Sequence, residues 1–142
     1  MESKLNKIAV SPAHPPQPEG LSYRIRKATT GVAPHPCIFL LHGYGSNADD
    51  LFSFASYLPE QLTVISLEAP LGTPFGGKAW YSIYFDAAQD KWSDLEEAKK
   101  SLVTITEQLE NFINEYDLNP KDISLMGFSQ GAILSWSLLL DH

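Results

Sequence analysis

The chain has 142 residues, 44% of them apolar and 11% aromatic, a composition that excludes wholesale disorder and fits one packed domain or part of one. Its formal charge of −7 repels phosphate backbones, which argues against nucleic acid as a partner. The longest apolar run is five residues, Cys37 to Leu41, far below the roughly 18 that a bilayer span needs.

Met1 to Val10 mixes Glu2, Lys4 and Lys7 among its apolar residues and lacks the continuous apolar stretch of a signal peptide, so the expected location is the cytoplasm. Ser11 to Gly20 carries Pro12, Pro15, Pro16 and Pro18, which remove backbone donors and block helix and ladder pairing. Residues 1–20 therefore read as a proline-rich arm, with a folded unit over 21–142. Leu21 to Ala28 alternates in part, as an edge or near-edge strand does. Cys37 to Leu41 is apolar throughout, as expected of a parallel strand covered on both faces. Asn47 to Leu58 places Leu51, Phe54, Ala55 and Leu58 on one helical face, with Asp49 and Asp50 in the first turn and Pro59 at the stop. Thr63 to Leu67 is a second covered strand. A long helix is expected from Ser93, the cap of an S-x-x-E box closed by Glu96, with Leu95, Ala98, Leu102, Ile105, Leu109, Phe112 and Tyr116 facing inward and Asn119-Pro120 ending it. Ile123 to Met126 is a third covered strand, and Ala132 to Leu140 an apolar helix. Covered strands alternating with helices imply an α/β fold, a mostly parallel sheet with helices on both faces. Cys37, the lone cysteine, closes no internal disulfide, and no Cys or His pair has zinc-site spacing.

Two motifs carry chemistry. Gly127-Phe128-Ser129-Gln130-Gly131 falls between the third strand and the last helix, where a sharp strand-to-helix turn lifts a serine hydroxyl above the sheet and the flanking glycines let backbone approach backbone. His42-Gly43-Tyr44-Gly45 follows the first covered strand and can supply a backbone amide to a developing oxyanion. Together with Leu67-Glu68-Ala69-Pro70 and Ala79-Trp80-Tyr81, these segments resemble the phospholipase/carboxylesterase family of α/β-hydrolases, which includes acyl-protein thioesterases. The resemblance implies a serine hydrolase that cleaves carboxylic esters or thioesters through an acyl-enzyme, without cofactor or metal. It assigns the nucleophile to Ser129, the oxyanion amides to Tyr44 and Gln130, and an acyl-pocket lining to Phe75, Trp80 and Tyr81. His42 precedes the serine, against the serine, acid, histidine order of such triads, and is expected to be structural.

The resemblance also exposes a gap. Only 13 residues follow Ser129. The triad acid and histidine are therefore expected outside this chain, which reads as the N-terminal two thirds of an α/β-hydrolase domain without its C-terminal strands. Asp141 and His142 lie about 18 Å along the helix after the serine, and neither His14 nor His35 has a third group to hold it as a base. The third strand should then offer an unpaired edge, open to self-association. Alternatives to a carboxylesterase are an acyl-protein thioesterase or lysophospholipase on the same fold, and a non-catalytic partner or binding module.

Overall fold

The computed structural model describes residues 20–88 and 90–141. The proline-rich arm before Gly20, His14 and His142 lie outside the described residues. Four strands form the main sheet: β1 (Tyr23–Arg26), β2 (His35–Leu41), β3 (Thr63–Leu67) and β8 (Leu118–Gly127), in the order β1-β3-β2-β8. β2 pairs in parallel with both β3 and β8, and β1 closes the other edge antiparallel to β3. Two short ribbons, β4 (Leu71–Gly72) with β5 (Lys78–Ala79) and β6 (Ile83–Phe85) with β7 (Lys91–Ser93), lie in the connection after β3. Strands of two and three residues are too short for a periodic pattern to distinguish them from loop.

Alternation along the strands builds two cores. Cys37, Phe39, Leu41, Ile65 and Leu67 face α2 (Leu95–Glu115) and α3 (Gln130–Leu140), meeting Ile105, Phe112, Leu134 and Leu138. Leu40 and Val64 point the other way, onto Leu51 of α1 (Ala48–Phe52) and Ala55 of a following 3-10 turn (Ser53–Tyr57). Helices therefore cover both faces, as expected. Polar residues inside β3 are satisfied: the Ser66 hydroxyl donates to the Ala48 carbonyl at 2.7 Å and the Thr63 oxygen accepts from the Ala28 amide at 3.2 Å. Arg26 donates to the carbonyls of Ala55, Leu58, Pro59 and Leu62, which ties β1 to the end of the 3-10 turn.

Five expectations are corrected. The helix expected over 47–58 is α-helical only to Phe52; the tighter 3-10 winding that follows turns Phe54 outward while Ala55 stays buried. Asp94, not Ser93, caps α2, its carboxylate accepting from the Glu97 amide at 3.0 Å, because Ser93 is held in the ribbon opposite Ile83. Leu95 is exposed, and the buried face of α2 includes the polar Ser101 and Gln108; the Gln108 amide group bonds both the N–H and the carbonyl of Leu21. Helix α2 ends at Glu115, Asp117 adopts a φ of 52°, and Asn119 and Pro120 already belong to β8. Finally, Ile123 to Met126 is half-buried to exposed instead of covered, since among the described residues β8 has a neighbour on one side alone. Among the described residues, no helix is long and apolar enough to cross a membrane.

Candidate active site

Ser129 stands where β8 passes into α3, with φ 55° and ψ −119°. A non-glycine residue in such a conformation carries strain on the order of 1–3 kcal/mol, so its surroundings must hold it there. They do so through backbone. The Phe128 N–H donates to the Leu41 carbonyl at 3.1 Å, fastening the ends of β8 and β2 together, and the Ala132 and Ile133 amides both donate to the Ser129 carbonyl. A Cβ on Gly127 would lie 2.3 Å from the Gly131 carbonyl oxygen, and one on Gly131 would lie 1.9 Å from that of Leu41. Both positions therefore require the absence of a side chain, for the close strand-helix approach that the motif predicts.

The second glycine loop meets the first. A Cβ on Gly43 would lie 3.0 Å from the Ser129 Cβ, so the turn bearing Tyr44 abuts the serine directly. Among the described residues, neither the Tyr44 nor the Gln130 amide has a hydrogen-bond partner. Two unpartnered N–H groups next to an exposed serine are the donors that an oxyanion site requires.

His42 is 1% exposed and both its ring nitrogens are engaged. Nε2 accepts from the Ala69 N–H at 3.0 Å, which places the proton on Nδ1, 2.8 Å from the Gly43 carbonyl. Burial holds its pKa below the usual histidine value, against the pull of the Gly43 carbonyl and of the Glu68 and Asp50 charges. The ring is thus a neutral structural element, in keeping with the expectation. His35 opens β2, at the far end of the strand from Leu41, roughly 20 Å away at 3.3 Å per residue. Asp141 caps the far end of α3. Among the described residues, no imidazole is free to take a proton from Ser129.

The three aromatic residues expected at an acyl pocket lie in different settings. Phe75 is 95% exposed, at the turn between β4 and β5. That ribbon is fastened to the Tyr44 turn by Gly45 N–H to Lys78 carbonyl (2.8 Å) and Lys78 N–H to Ser46 carbonyl (2.7 Å). Tyr81 is buried, and so is Trp80, whose ring lies against His42 at 5.4 Å between centroids. The Gln130 side chain, whose role sequence reasoning missed, is also buried and bonds the backbone of these two residues: Oε1 accepts from the Trp80 N–H at 3.0 Å and Nε2 donates to the Tyr81 carbonyl at 2.8 Å. An amide side chain in the first turn of an otherwise apolar helix was the available signal. No cluster of three or more potential metal ligands occurs among the described residues.

The profile of the phospholipase/carboxylesterase family matches residues 28–142. Among solved structures, esterase PE8 is 27% identical with a TM-score of 0.71, over 84% of this chain and 57% of its own. Acyl-protein thioesterase 2 of Zea mays is 25% identical with a TM-score of 0.59, over 82% of this chain and 50% of its own. A carboxylesterase from Mesorhizobium loti, 22% identical with a TM-score of 0.69, shares the fold over 84% of this chain and 54% of its own. The chain thus spans little more than half the length of these solved relatives. With the match covering the whole strand-helix series from before β2 through α3, the chain belongs to the phospholipase/carboxylesterase family and has the α/β-hydrolase fold.

Proposed function

We propose that this chain is the nucleophile-bearing part of a serine hydrolase acting on carboxylic esters. The observation that carries the reading is Ser129 in its strained elbow, abutted by the Gly43-Tyr44 turn and flanked by the free amides of Tyr44 and Gln130. Ser129 Oγ would attack the substrate carbonyl carbon while its proton passes to a base, and the resulting oxyanion would be held by the two amides. Collapse of the tetrahedral intermediate expels the alcohol, which takes the proton, and leaves an acyl-serine that water hydrolyses by the same route. The triad histidine and acid are assigned to polypeptide outside residues 1–142. Phe75 and Tyr81 are assigned to the acyl side of the site, with Trp80 behind them. Esters of small alcohols, acyl-protein thioesters and lysophospholipids all fit this chemistry, with a thiol as leaving group in the thioester case; it needs no cofactor, and a cytoplasmic location is proposed with it. The open edge of β8 and the exposed Ile133, Trp136 and Leu140 of α3 favour a second reading, a chain that associates through this face with itself or a partner.

Fluorophosphonate labelling with mass spectrometry of the Ser129 peptide tests the first reading. In a polypeptide joining this chain to the later strands of a family member, labelling is expected at Ser129 alone and absent from Ser129→Ala. The 142 residues by themselves are expected to react on the order of 10^6 more slowly, the cost of lacking the base. Undiminished labelling of Ser129→Ala overturns the nucleophile, and rapid labelling of the chain alone overturns the external base.

A further inference from the structure

We propose that His42, Trp80 and the Gln130 side chain are positioning residues that hold the two oxyanion amides in a fixed relation to each other; the inference rests on the reading of the Tyr44 and Gln130 amides as those donors. A trans peptide directs its carbonyl and its N–H to opposite sides. The Gly43 carbonyl is pinned by the His42 Nδ1–H at 2.8 Å and by the Ser46 N–H at 3.2 Å, which turns the Tyr44 N–H of the same peptide away from the imidazole. His42 is fixed in turn by the Ala69 N–H on Nε2 and by the Trp80 indole, whose Nε1–H donates to the His42 carbonyl at 2.7 Å. Trp80 is bonded at all three of its polar groups, its carbonyl taking the Ser101 hydroxyl and its own N–H donating to Gln130 Oε1. The chain of bonds that begins at one oxyanion amide therefore ends in the side chain of the residue that bears the other.

Packing alone does not account for this arrangement. His42, Trp80 and Gln130 are all buried, and every one of their side-chain polar groups is hydrogen-bonded to backbone. Leu or Met at position 130 would fill comparable volume without the cost of desolvating an amide. What an apolar side chain cannot do is fix the Trp80-Tyr81 backbone against the elbow at two atoms. Strand ends place the two loops near each other. The side-chain bonds set their relative orientation, the quantity on which two-donor recognition of an oxyanion depends.

The test is amide NMR of the 142-residue chain, comparing Gln130→Met, which keeps the backbone donor and loses both side-chain bonds, with Trp80→Phe, which loses the indole N–H. Each substitution is expected to shift the Tyr44 amide resonance, although Tyr44 shares no hydrogen bond with either altered group. In the Trp80→Phe background, Gln130→Met is expected to lose its effect on Tyr44, a dependence that general loosening of the core does not produce. An unchanged Ile65 amide resonance verifies that the sheet is intact. Should Trp80→Phe fail to fold, Ser101→Ala removes the bond to the Trp80 carbonyl at small volume cost and is expected to shift Tyr44 in the same way. A Tyr44 resonance indifferent to these substitutions, or effects of Trp80→Phe and Gln130→Met that simply add, overturns the proposal. Labelling at Ser129 is read separately: with labelling present and Tyr44 unmoved, the nucleophile stands and the positioning role falls.

Discussion

β3 and β8 flank β2 on its two sides, both parallel to it and both in register with it from Cys37 to Leu41, yet β3 is buried at every residue and β8 only at Leu118. The strands differ less in sequence than in company. β3 has β1 beyond it and helices over both faces; β8 has nothing beyond it among the described residues. The helices repeat the contrast. α2 is amphipathic and turns its charged side outward, whereas α3 is apolar on nearly every side and leaves Ile133, Trp136, Leu139 and Leu140 exposed. A helix apolar all round belongs inside a protein, so this flank has the composition of an interior and the exposure of a surface.

Substitutions on the two flanks should separate sharply. Phe39→Ala, on the covered side where the ring stacks on Phe112 at 6.3 Å, is expected to cost about 3–5 kcal/mol, read from urea unfolding. Gly131→Ala forces a Cβ against the Leu41 carbonyl and is expected to cost about 3 kcal/mol, with displacement of the elbow visible as loss of any Ser129 reactivity. Ser129→Gly should move the other way, raising the unfolding free energy by about 1 kcal/mol as backbone strain is relieved while the proposed nucleophile is lost; an unchanged or lowered value means that the turn is unstrained. Asn47→Ala removes the side-chain acceptor of the Asp49 and Asp50 amides and is expected to cost about 1 kcal/mol. Trp136→Ala, 67% exposed, should change stability by no more than about 0.5 kcal/mol in dilute monomer. A cost near that of Phe39→Ala, growing with protein concentration in sedimentation, would instead show that a second copy covers this flank.

Much of the fold was legible because period-2 and period-3.6 patterns report which face a residue turns inward. Thr63 to Leu67 coincides with β3, the edge position of the first strand holds, and the glycines at 127 and 131 occupy the close approaches that their motif implied. Patterns fail where burial depends on a remote partner. Ile123 to Met126 reads as a covered strand because its residues suit one, and nothing local reports that a neighbour is missing. Caps fail for a related reason: Ser93 and Asp94 are both able acceptors, and the choice fell to the ribbon pairing that withdraws Ser93. At the site, Ser129, Gly43 and Tyr44 came from short motifs whose spacing is local. The bonds joining Gln130 to Trp80 and Trp80 to His42 cross long stretches of chain, and no pattern in one sequence reveals them.

The bond from Phe128 to Leu41 closes the longest loop in the main sheet, since β2 and β3 are joined by one short helical crossover while β8 returns to β2 only after both ribbons and α2. Closure entropy rises with the chain enclosed, so the β2–β3 crossover should form early and the β8 seam late. Ser129 acquires its setting at that seam. In refolding, the hydrophobic interior should therefore consolidate first, and the elbow, both glycine contacts and the approach of the Tyr44 turn to Gln130 should arrive together as the final event.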